Sequence, residues 1–359
     1  MRAAECRMGS APGRDTGALL GEAMRPLAIA LVAVLLAAGC SAPRRDKITV
    51  ACGASERWCA MMVKRFSDST GVEADFVRLS SGEALERIRA ARARQEFDVW
   101  HGGPADSYVA AKSQGLLEPY RSEVAGEIRP GWADREHAWS GIYAGVLAFC
   151  NNTKKLAERG LRPIRSWQEL LDERLRGGVA IAHPATSGTA YTALWTHMEL
   201  GGRDPDAALG YLRRLHPNVL RYNSSGSAAA VQAAKEEAAV GVVFSHDCVA
   251  AQEQGYPNLQ VTFPREGTGY ELGGLAVLAG AHNPDSARRY VDWALSGASQ
   301  RLGPLVQFYA LPTNTRVPAH SKAADPAVAK LVPYDVEAAG GAKRTLVDRF
   351  GAEIARPPV

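Results

Sequence analysis

The chain has 359 residues, of which 46% are hydrophobic and 22% charged, and its formal net charge at pH 7 is +4. This composition is ordinary for a soluble globular protein, and the length predicts two domains or one large α/β unit. Arginines crowd residues 87–94, but glutamates interleave with them, so we expect a solvated helix face and no nucleic-acid partner.

The first distinctive segment is residues 24–40, with the sequence MRPLAIALVAVLLAAGC. Its apolar run, Leu27 to Ala38, is too short to span a bilayer, which needs about 20 residues. A charged start, a short apolar centre and small residues before Cys40 are typical of a secretory signal. We therefore expect the true start at Met24, and residues 1–39 to comprise upstream residues and a signal peptide.

The residues Leu-Ala-Ala-Gly before Cys40 resemble the lipobox of bacterial lipoproteins. The resemblance implies that the signal is cut before Cys40 and that the thiol carries diacylglycerol. Residues 40–46 would then be a polar tether, and the rest of the chain would lie outside the cytoplasm, lipid-anchored to the bacterial cell membrane. Ordinary signal-peptidase cleavage, with Cys40 incidental, is the alternative.

Strands and helices alternate in the pattern from residue 47 to 115 and again from residue 177. In the first series, strands are predicted at 47–52, 72–79 and 97–100 and helices at 56–70, 84–94 and 105–114, with Gly102-Gly103-Pro104 ending the third strand. In the second, strands are predicted at 177–182, 219–222, 240–245, 259–263 and 272–278 and helices at 190–200, 206–215, 228–237 and 284–295. A further strand is expected over 141–149, and the tail is expected to hold helices 325–331 and 342–350, separated by Pro333 and Gly340-Gly341. This rhythm favours an α/β fold with parallel strands and covering helices.

Four cysteines follow Cys40, and an even number suggests disulfide bonds in an oxidising compartment. They are Cys52, Cys59, Cys150 and Cys248. Cys52 and Cys59 flank a predicted loop, so a local bond between them is favoured, and Cys150–Cys248 follows by elimination. Buried free thiols are the alternative. No CxxC pattern is present, and we expect no metal site and no cofactor.

Four segments place serine, glycine or threonine between a predicted strand and a predicted helix. They are Cys52-Gly53-Ala54-Ser55, Leu79-Ser80-Ser81-Gly82, Thr186-Ser187-Gly188-Thr189 and Asn223-Ser224-Ser225-Gly226-Ser227. Such turns leave backbone N–H groups and hydroxyls at helix N-termini, where an anion is favoured, and they lie at the carboxyl ends of strands, where ligands bind in open α/β sheets. Simple helix capping is the alternative for each turn taken alone.

Four strings carry a family resemblance. They are FDVWHGGPAD at 97–106, PATSGTAYT at 184–192, FSHD at 244–247 and GTGYELGG at 267–274. Together they resemble the extracellular solute-binding proteins of bacterial ABC importers, in the branch of ferric-iron, 2-aminoethylphosphonate, thiamine and hexose-phosphate binders. The resemblance implies a two-lobed periplasmic-binding-protein fold of type 2, each lobe a mixed sheet with covering helices, joined by crossing hinge strands.

By this resemblance, residues 47–143 with 275–318 form lobe one, residues 144–274 form lobe two, and 319–359 form a helical tail whose lobe is left open. The cleft between the lobes would bind a small anionic solute. Its expected lining is Ser55, Ser81, Ser187, Gly188, Thr189, Ser225, His246, Asp247 and Glu271. The resemblance also implies an ABC permease as partner, or a sensor kinase, and we expect a monomer.

The residue types in this expected lining favour a phosphate ester or phosphonate. Hydroxyls and backbone N–H groups suit a phosphate, and carboxylates accept from hydroxyl or ammonium groups. A structural role for the His246-Asp247 pair is the alternative. Ferric-iron binders of the branch use adjacent tyrosines, and no Tyr-Tyr pair occurs here, although Tyr191, Tyr222 and Tyr270 could converge.

An enzyme is not predicted. Walker A, HExxH, GxSxG and GxGxxG patterns are absent from the sequence. Ser245-His246-Asp247 holds the residue types of a catalytic triad, but the three are expected at the end of a strand, where consecutive side chains alternate between faces and cannot form a relay.

Overall fold

Strands and helices alternate from Lys47 onward in the computed structural model, which describes residues 46–358. The strands are β1 (Lys47–Cys52), β2 (Glu73–Arg78), β3 (Val99–Pro104), β4 (Leu117–Glu118), β5 (Ser140–Asn152), β6 (Val179–Ala182), β7 (Val219–Asn223), β8 (Val240–Phe244), β9 (Leu259–Thr262), β10 (Tyr270–Leu278) and β11 (Leu311–Pro312). The α-helices are α1 (Glu56–Thr70), α2 (Ser81–Ala90), α3 (Ala105–Lys112), α4 (Thr153–Glu158), α5 (Gly188–Leu200), α6 (Pro205–Leu215), α7 (Ser227–Ala234), α8 (Ser245–Glu253), α9 (Pro284–Leu295), α10 (Gly297–Gln300) and α11 (Val336–Glu353). Residues 1–45 lie outside the described range, so the signal peptide and the lipid at Cys40 remain predictions.

The strand order is β2-β1-β3-β10-β5-β8-β6-β7, and two long strands join its halves. β1 is parallel to β2 and β3, and β6 is parallel to β7 and β8. β5 is antiparallel to β10 as far as Val146 and antiparallel to β8 from Leu147 onward. Each half is therefore a mixed sheet, and β5 and β10 cross between the halves. This is the two-lobed periplasmic-binding-protein fold expected from the sequence. We refer to the half with β1–β3 as lobe one and the half with β6–β9 as lobe two.

Apolar side chains at helical spacing pack these helices onto the sheet. In α1, Trp58, Met62 and Phe66 are at most 2% exposed and join the core of lobe one. Gly71, with a left-handed backbone (φ 74°), ends α1 where the sequence predicted a stop. In lobe two, α5 contributes Tyr191 and Leu194 to a separate core. Each lobe therefore has its own apolar core, so the lobes can move relative to one another without breaking either.

Two boundaries near the cleft differ from the sequence prediction. β3 continues through Gly102 and Gly103 to Pro104, because β10 supplies a partner for it there. The strand predicted over 240–245 ends at Phe244, and Ser245 starts α8, a helix that the prediction missed. Its apolar residues show no one-sided pattern, so helical periodicity was not visible in the sequence.

Of the two helices predicted in the tail, the first was wrong, and the second, 342–350, is helical but starts earlier than predicted. No helix forms over residues 325–331, and α11 includes the predicted segment 342–350 and extends it to residues 336–353. Gly340 does not end it: a Cβ there would lie 2.6 Å from the Val109 Cβ of α3. Gly340 lets α11 pack closely against α3. The free energy gained from this packing offsets the cost of glycine relative to alanine within a helix, about 1 kcal/mol.

Both expected disulfide bonds are present, Cys52–Cys59 and Cys150–Cys248. The first joins the end of β1 to the first turn of α1, and the second joins β5 to α8. Within residues 46–358, no helix combines the length and apolar character needed to cross a bilayer.

Candidate functional site

A cavity lies where strands of both lobes end. All nine residues expected from the sequence are on its wall, namely Ser55, Ser81, Ser187, Gly188, Thr189, Ser225, His246, Asp247 and Glu271. The sequence analysis did not assign several others on the wall, which include Arg78, Ser80, Tyr143, Ser227 and Phe308. The parallel strands explain the convergence, because their carboxyl ends meet at one edge of each sheet.

Helix N-termini from both lobes face this cavity. α1 and α2 begin there in lobe one, and α5, α7 and α8 begin there in lobe two. The N-cap residues of α1, α7 and α8 make no side-chain capping hydrogen bond, while Ser187 accepts a long one, 3.5 Å, from the Ala190 N–H. First-turn N–H groups and the positive ends of the helix dipoles therefore remain for a bound anion. Helix capping, the alternative for these turns, accounts for Ser187 and, through a capping box with Glu83, for Ser80, but not for Ser55.

Arg78 is the one lysine or arginine among the described residues that line the cavity. It is half-buried at the carboxyl end of β2, and its Nη1 donates to the Leu79 carbonyl. Among the described residues, no carboxylate lies within 4 Å of its guanidinium, so it forms no ion pair. Burial lowers the pKa of the guanidinium, and the nearby Tyr143 and Asp247 partly oppose that shift. An arginine remains charged under such conditions, so Arg78 supplies a fixed, partly desolvated positive charge.

Two carboxylates, Asp247 and Glu271, complete the polar wall, and within the described residues neither has a hydrogen-bond or ion-pair partner. Burial raises the pKa of Asp247. Burial also raises the pKa of Glu271 well above its usual value, and Asp247 and Asp106 raise it further. Both groups are hydrogen-bond acceptors whose ionised forms lack a compensating contact from the protein.

His246 lies in the first turn of α8, between Phe244, Tyr143 and Phe308. Burial lowers the pKa of its ring, and its buried Nδ1 has no hydrogen-bond partner. Gly145 of β5 gives the ring its space, since a Cβ there would lie 2.7 Å from His246 Cε1. Residues 245–247 are helical, so the expectation that these three residues alternate between the faces of a strand was wrong. In the structure, no hydrogen bond joins the side chains of Ser245, His246 and Asp247.

The lobes touch each other around the cavity. The Gly82 N–H of α2 donates to the Thr186 carbonyl of lobe two over 3.0 Å, and a Cβ on Gly82 would lie 2.0 Å from the Ala185 oxygen. On the facing side, a Cβ on Gly188 would lie 2.3 Å from the Pro104 ring. These glycines permit backbone contact between lobes, so the structure is a closed arrangement.

The three tyrosines considered as iron ligands do not line this cavity. Tyr191 donates to the Ala339 carbonyl, Tyr222 contacts His216, and the Tyr270 ring packs near that of Tyr334. The described residues also contain no cluster of three or more His, Cys, Asp or Glu side chains able to hold a metal ion.

Arg78 could have been found from the sequence, because it directly precedes one of the four serine-glycine turns at the end of a predicted strand. Tyr143 and Phe308 carried no such signal. Tyr143 lies on the crossing strand β5, with its hydroxyl accepting from the Gly103 N–H over 3.0 Å, and Phe308 lies in a loop stacked on Trp58. Tertiary packing alone places both rings on the wall.

We expect the buried Glu271 charge to reduce the stability of the ligand-free protein. The pKa of Glu271 is higher in the folded protein than in the unfolded chain. The contribution of this carboxyl to the stability of the folded protein is therefore fully present at low pH, below the pKa of the unfolded chain, and falls as pH rises through the pKa of the folded state. Glu271→Gln should therefore raise the free energy of unfolding near neutral pH, by about 1 kcal/mol. The gain should shrink on acidification, because the wild-type group then protonates. Thermal unfolding across pH measures this, with the exposed Glu123→Gln as the control, and a gain that does not change with pH would contradict the prediction.

Comparison with known proteins gives a consistent result for most of the chain. Residues 61–330 match the family described as bacterial extracellular solute-binding protein. An uncharacterised protein of Haemophilus influenzae is 38% identical over 336 residues, which cover 90% of this chain and 95% of that protein.

Solved structures of several bacterial binding proteins share the fold. One is the periplasmic binding protein AfuA from Actinobacillus pleuropneumoniae, solved with exogenous fructose 6-phosphate bound. AfuA is 37% identical to this chain, and the two structures superpose with a TM-score of 0.83 over 86% of this chain and 99% of AfuA. Iron-bound HitA from Pseudomonas aeruginosa is 20% identical, with a TM-score of 0.73 over 85% of this chain and 99% of HitA. The likeness to HitA shows the fold alone.

Proposed function

The chain belongs to the bacterial extracellular solute-binding proteins, and on that premise we propose that it captures a phosphate ester or phosphonate for an ABC importer. A hexose phosphate or 2-aminoethylphosphonate is the kind of solute we have in mind. The observation that carries the proposal is Arg78, a partly desolvated cation without a carboxylate partner, beside the N-termini of helices whose first-turn N–H groups remain free.

The anionic group of the solute would bind at Arg78 and the neighbouring serine and threonine hydroxyls. Guanidinium groups form paired hydrogen bonds with phosphate, and helix N-termini add donors and a favourable dipole. Thr189 Oγ1 and Ser187 Oγ lie close to the backbone at Gly226, where a Cβ would be 2.1 Å and 3.1 Å away. These hydroxyls therefore surround the α7 N-terminus closely, an arrangement suited to several oxygens of one phosphate.

The rest of the solute would bind at the acidic part of the wall. The Asp247 and Glu271 carboxylates can accept from sugar hydroxyls or from an ammonium group, and the neutral His246 ring can accept or donate. A simple inorganic anion would leave these groups without partners. AfuA, which shares 37% of its sequence with this chain, was solved with fructose 6-phosphate, and that ligand combines a phosphate with hydroxyls.

Binding would proceed by hinged closure. The solute first contacts one lobe, and closure then brings the donors and acceptors of the other lobe and expels water, which strengthens each polar contact. β5 and β10, the two crossing strands, would be the hinge. A permease in the cytoplasmic membrane would then recognise the closed form, and the lipid predicted at Cys40 would keep the protein near it.

A thermal-shift screen tests the proposal, using the chain from residue 41 onward and a panel of sugar phosphates, glycerol phosphates, 2-aminoethylphosphonate, thiamine, polyamines and ferric citrate. A ligand at 100 times its dissociation constant stabilises the folded state by about 2.7 kcal/mol. We expect stabilisation by phosphate esters or phosphonates. A response to ferric citrate alone would overturn the assigned ligand class and favour the iron-binding alternative.

Calorimetric titration of two variants, Asp247→Ala and Thr189→Ala, tests the assigned wall. Each should weaken binding of the solute found in the screen by about 10-fold, the loss of one hydrogen bond to a charged group. The ligand-free thermal stability of Thr189→Ala should stay close to that of the wild type. Unchanged affinity in both variants would contradict the cavity assignment.

A further inference from the structure

The C-terminal helix α11 contacts both lobes. Its second half belongs to lobe two, where Leu346 and Phe350 are buried in the core formed by α5 and α6. On the surface, Arg349 forms ion pairs with Asp206 of α6 and with Glu353 of its own helix, each at 2.7 Å. These contacts attach α11 to lobe two.

The first half of α11 packs closely on α3 of lobe one, and this contact contains a buried ion pair. Lys343 Nζ lies 2.5 Å from Asp106 Oδ1 on α3, and the two side chains are 10% and 0% exposed. The Tyr334 hydroxyl donates to the other Asp106 oxygen over 3.3 Å, and the Lys343 ammonium lies 4.0 Å from the centre of the Tyr191 ring of lobe two. Gly340 packs against the Asp106 carbonyl, which a Cβ would approach to 2.8 Å. Lys343 thus lies on a helix that packs on lobe two through Leu346 and Phe350 and also on α3 of lobe one, which carries its carboxylate partner.

Asp106 is also close to the solute cavity in the chain and in space. It follows Pro104 by two residues, and Pro104 lines the cavity and touches Gly188 of lobe two. Asp106 is on the first turn of α3, which directly follows Pro104 at the end of β3. The position of α3 relative to lobe two therefore sets the position of Pro104 on the cavity wall. Any opening of the cleft that moves α3 away from α11 must separate Lys343 from Asp106.

We propose that Lys343 and Asp106 are positioning residues for solute capture. Their ion pair joins the lobes through α11 and favours the closed arrangement. It does so both before and after the solute binds. The inference rests on the proposed function in assuming that the closed cavity is the binding-competent one. Removing the lysine would leave the buried Asp106 carboxylate without its counter-ion, with only the Tyr334 and Ser107 hydroxyls donating to it, while the lobes are closed. An opening that separates α3 from α11 would let water solvate the carboxylate. The cost of the change would therefore fall on the closed state.

The test compares Lys343→Met with Arg349→Met, which removes an equal charge from the same helix but breaks contacts only within lobe two. Small-angle X-ray scattering of the ligand-free proteins reports the closed fraction, and titration with fructose 6-phosphate reports affinity. We expect Lys343→Met to increase the radius of gyration and to raise the dissociation constant at least about 10-fold. Arg349→Met should match the wild type in both, and Lys343→Arg should restore both.

Two further outcomes are decisive. If Lys343→Met unfolds at lower temperature but keeps the wild-type radius of gyration, α11 is a fixed strut and the proposal is wrong. If wild-type protein does not bind fructose 6-phosphate, the assigned solute is wrong, while the scattering comparison still decides the role of the ion pair. A double variant, Asp106→Asn with Lys343→Met, should recover part of the closed fraction, because it removes the unpaired charge.

Discussion

Replacing Arg78 with alanine is expected to raise the dissociation constant for a phosphate ester such as fructose 6-phosphate about 100-fold, the equivalent of about 2.7 kcal/mol. The reason is that Arg78 is the one lysine or arginine on the described cavity wall and makes no ion pair that its removal would disturb. Hydroxyls and helix N-termini would remain, so weak binding should persist. Isothermal titration calorimetry measures the change directly.

Two companion variants show whether the charge or its geometry matters. Arg78→Lys should fall between wild type and alanine, because an ammonium keeps the charge but loses the paired donors of the guanidinium. Arg94→Ala removes an exposed arginine that forms no ion pair in the described chain, and its affinity should equal that of the wild type. A change of less than twofold in Arg78→Ala would contradict an anion site at this residue.

The second large effect is expected from Gly82→Ala, which should hold the cleft open. In the closed arrangement a Cβ at this position would lie 2.0 Å from the Ala185 oxygen and 2.9 Å from the Thr186 Cα, both backbone atoms of lobe two. Backbone cannot move aside as a side chain can, so closure with the full set of contacts is blocked. We expect solute affinity to fall by about 100-fold, the equivalent of about 2.7 kcal/mol, and scattering to show no compaction when fructose 6-phosphate is added.

The fold itself should not suffer from this change. Gly82 is the second residue of α2, and alanine is favoured over glycine within a helix by about 1 kcal/mol, so the variant should still fold. Gly210→Ala is the matched control, because that glycine is also helical and a Cβ added to it would have no neighbouring atom within 4 Å outside its own helix turn. Wild-type affinity in Gly82→Ala would mean that the closed contacts between Gly82 and lobe two are not needed for binding.

Local sequence signals were sufficient for the alternating elements and for most of the cavity wall. Strands such as β1 and β8 are short apolar runs followed at once by serine or glycine, and helices such as α1 and α9 carry a one-sided apolar pattern. Because parallel strands present their carboxyl ends at one edge, a turn found after each strand predicts a shared site without coordinates. Ser55, Ser81, Ser187 and Ser225 met in one cavity for this reason.

Other features depended on contacts between residues far apart in the chain. α8 has no apolar periodicity, and the Gly340-Gly341 pair is typical of a helix end in sequence, although Gly340 is required by packing against Val109 of α3. The wall positions of Tyr143 and Phe308, and the pairing of Asp106 with Lys343 across 237 residues, also arise only when the lobes are assembled.

The sequence by itself therefore determined the alternation of strands and helices, the Cys52–Cys59 bond and the turns that supply donors to the cavity, because each depends on neighbours along the chain. The Cys150–Cys248 bond, between cysteines 98 residues apart, followed only by elimination. Only the tertiary structure decided which charged groups lack partners, which glycines allow the lobes to touch, and that α11 joins them. Those properties depend on burial and on distances between lobes, and neither is encoded in any local pattern of residues.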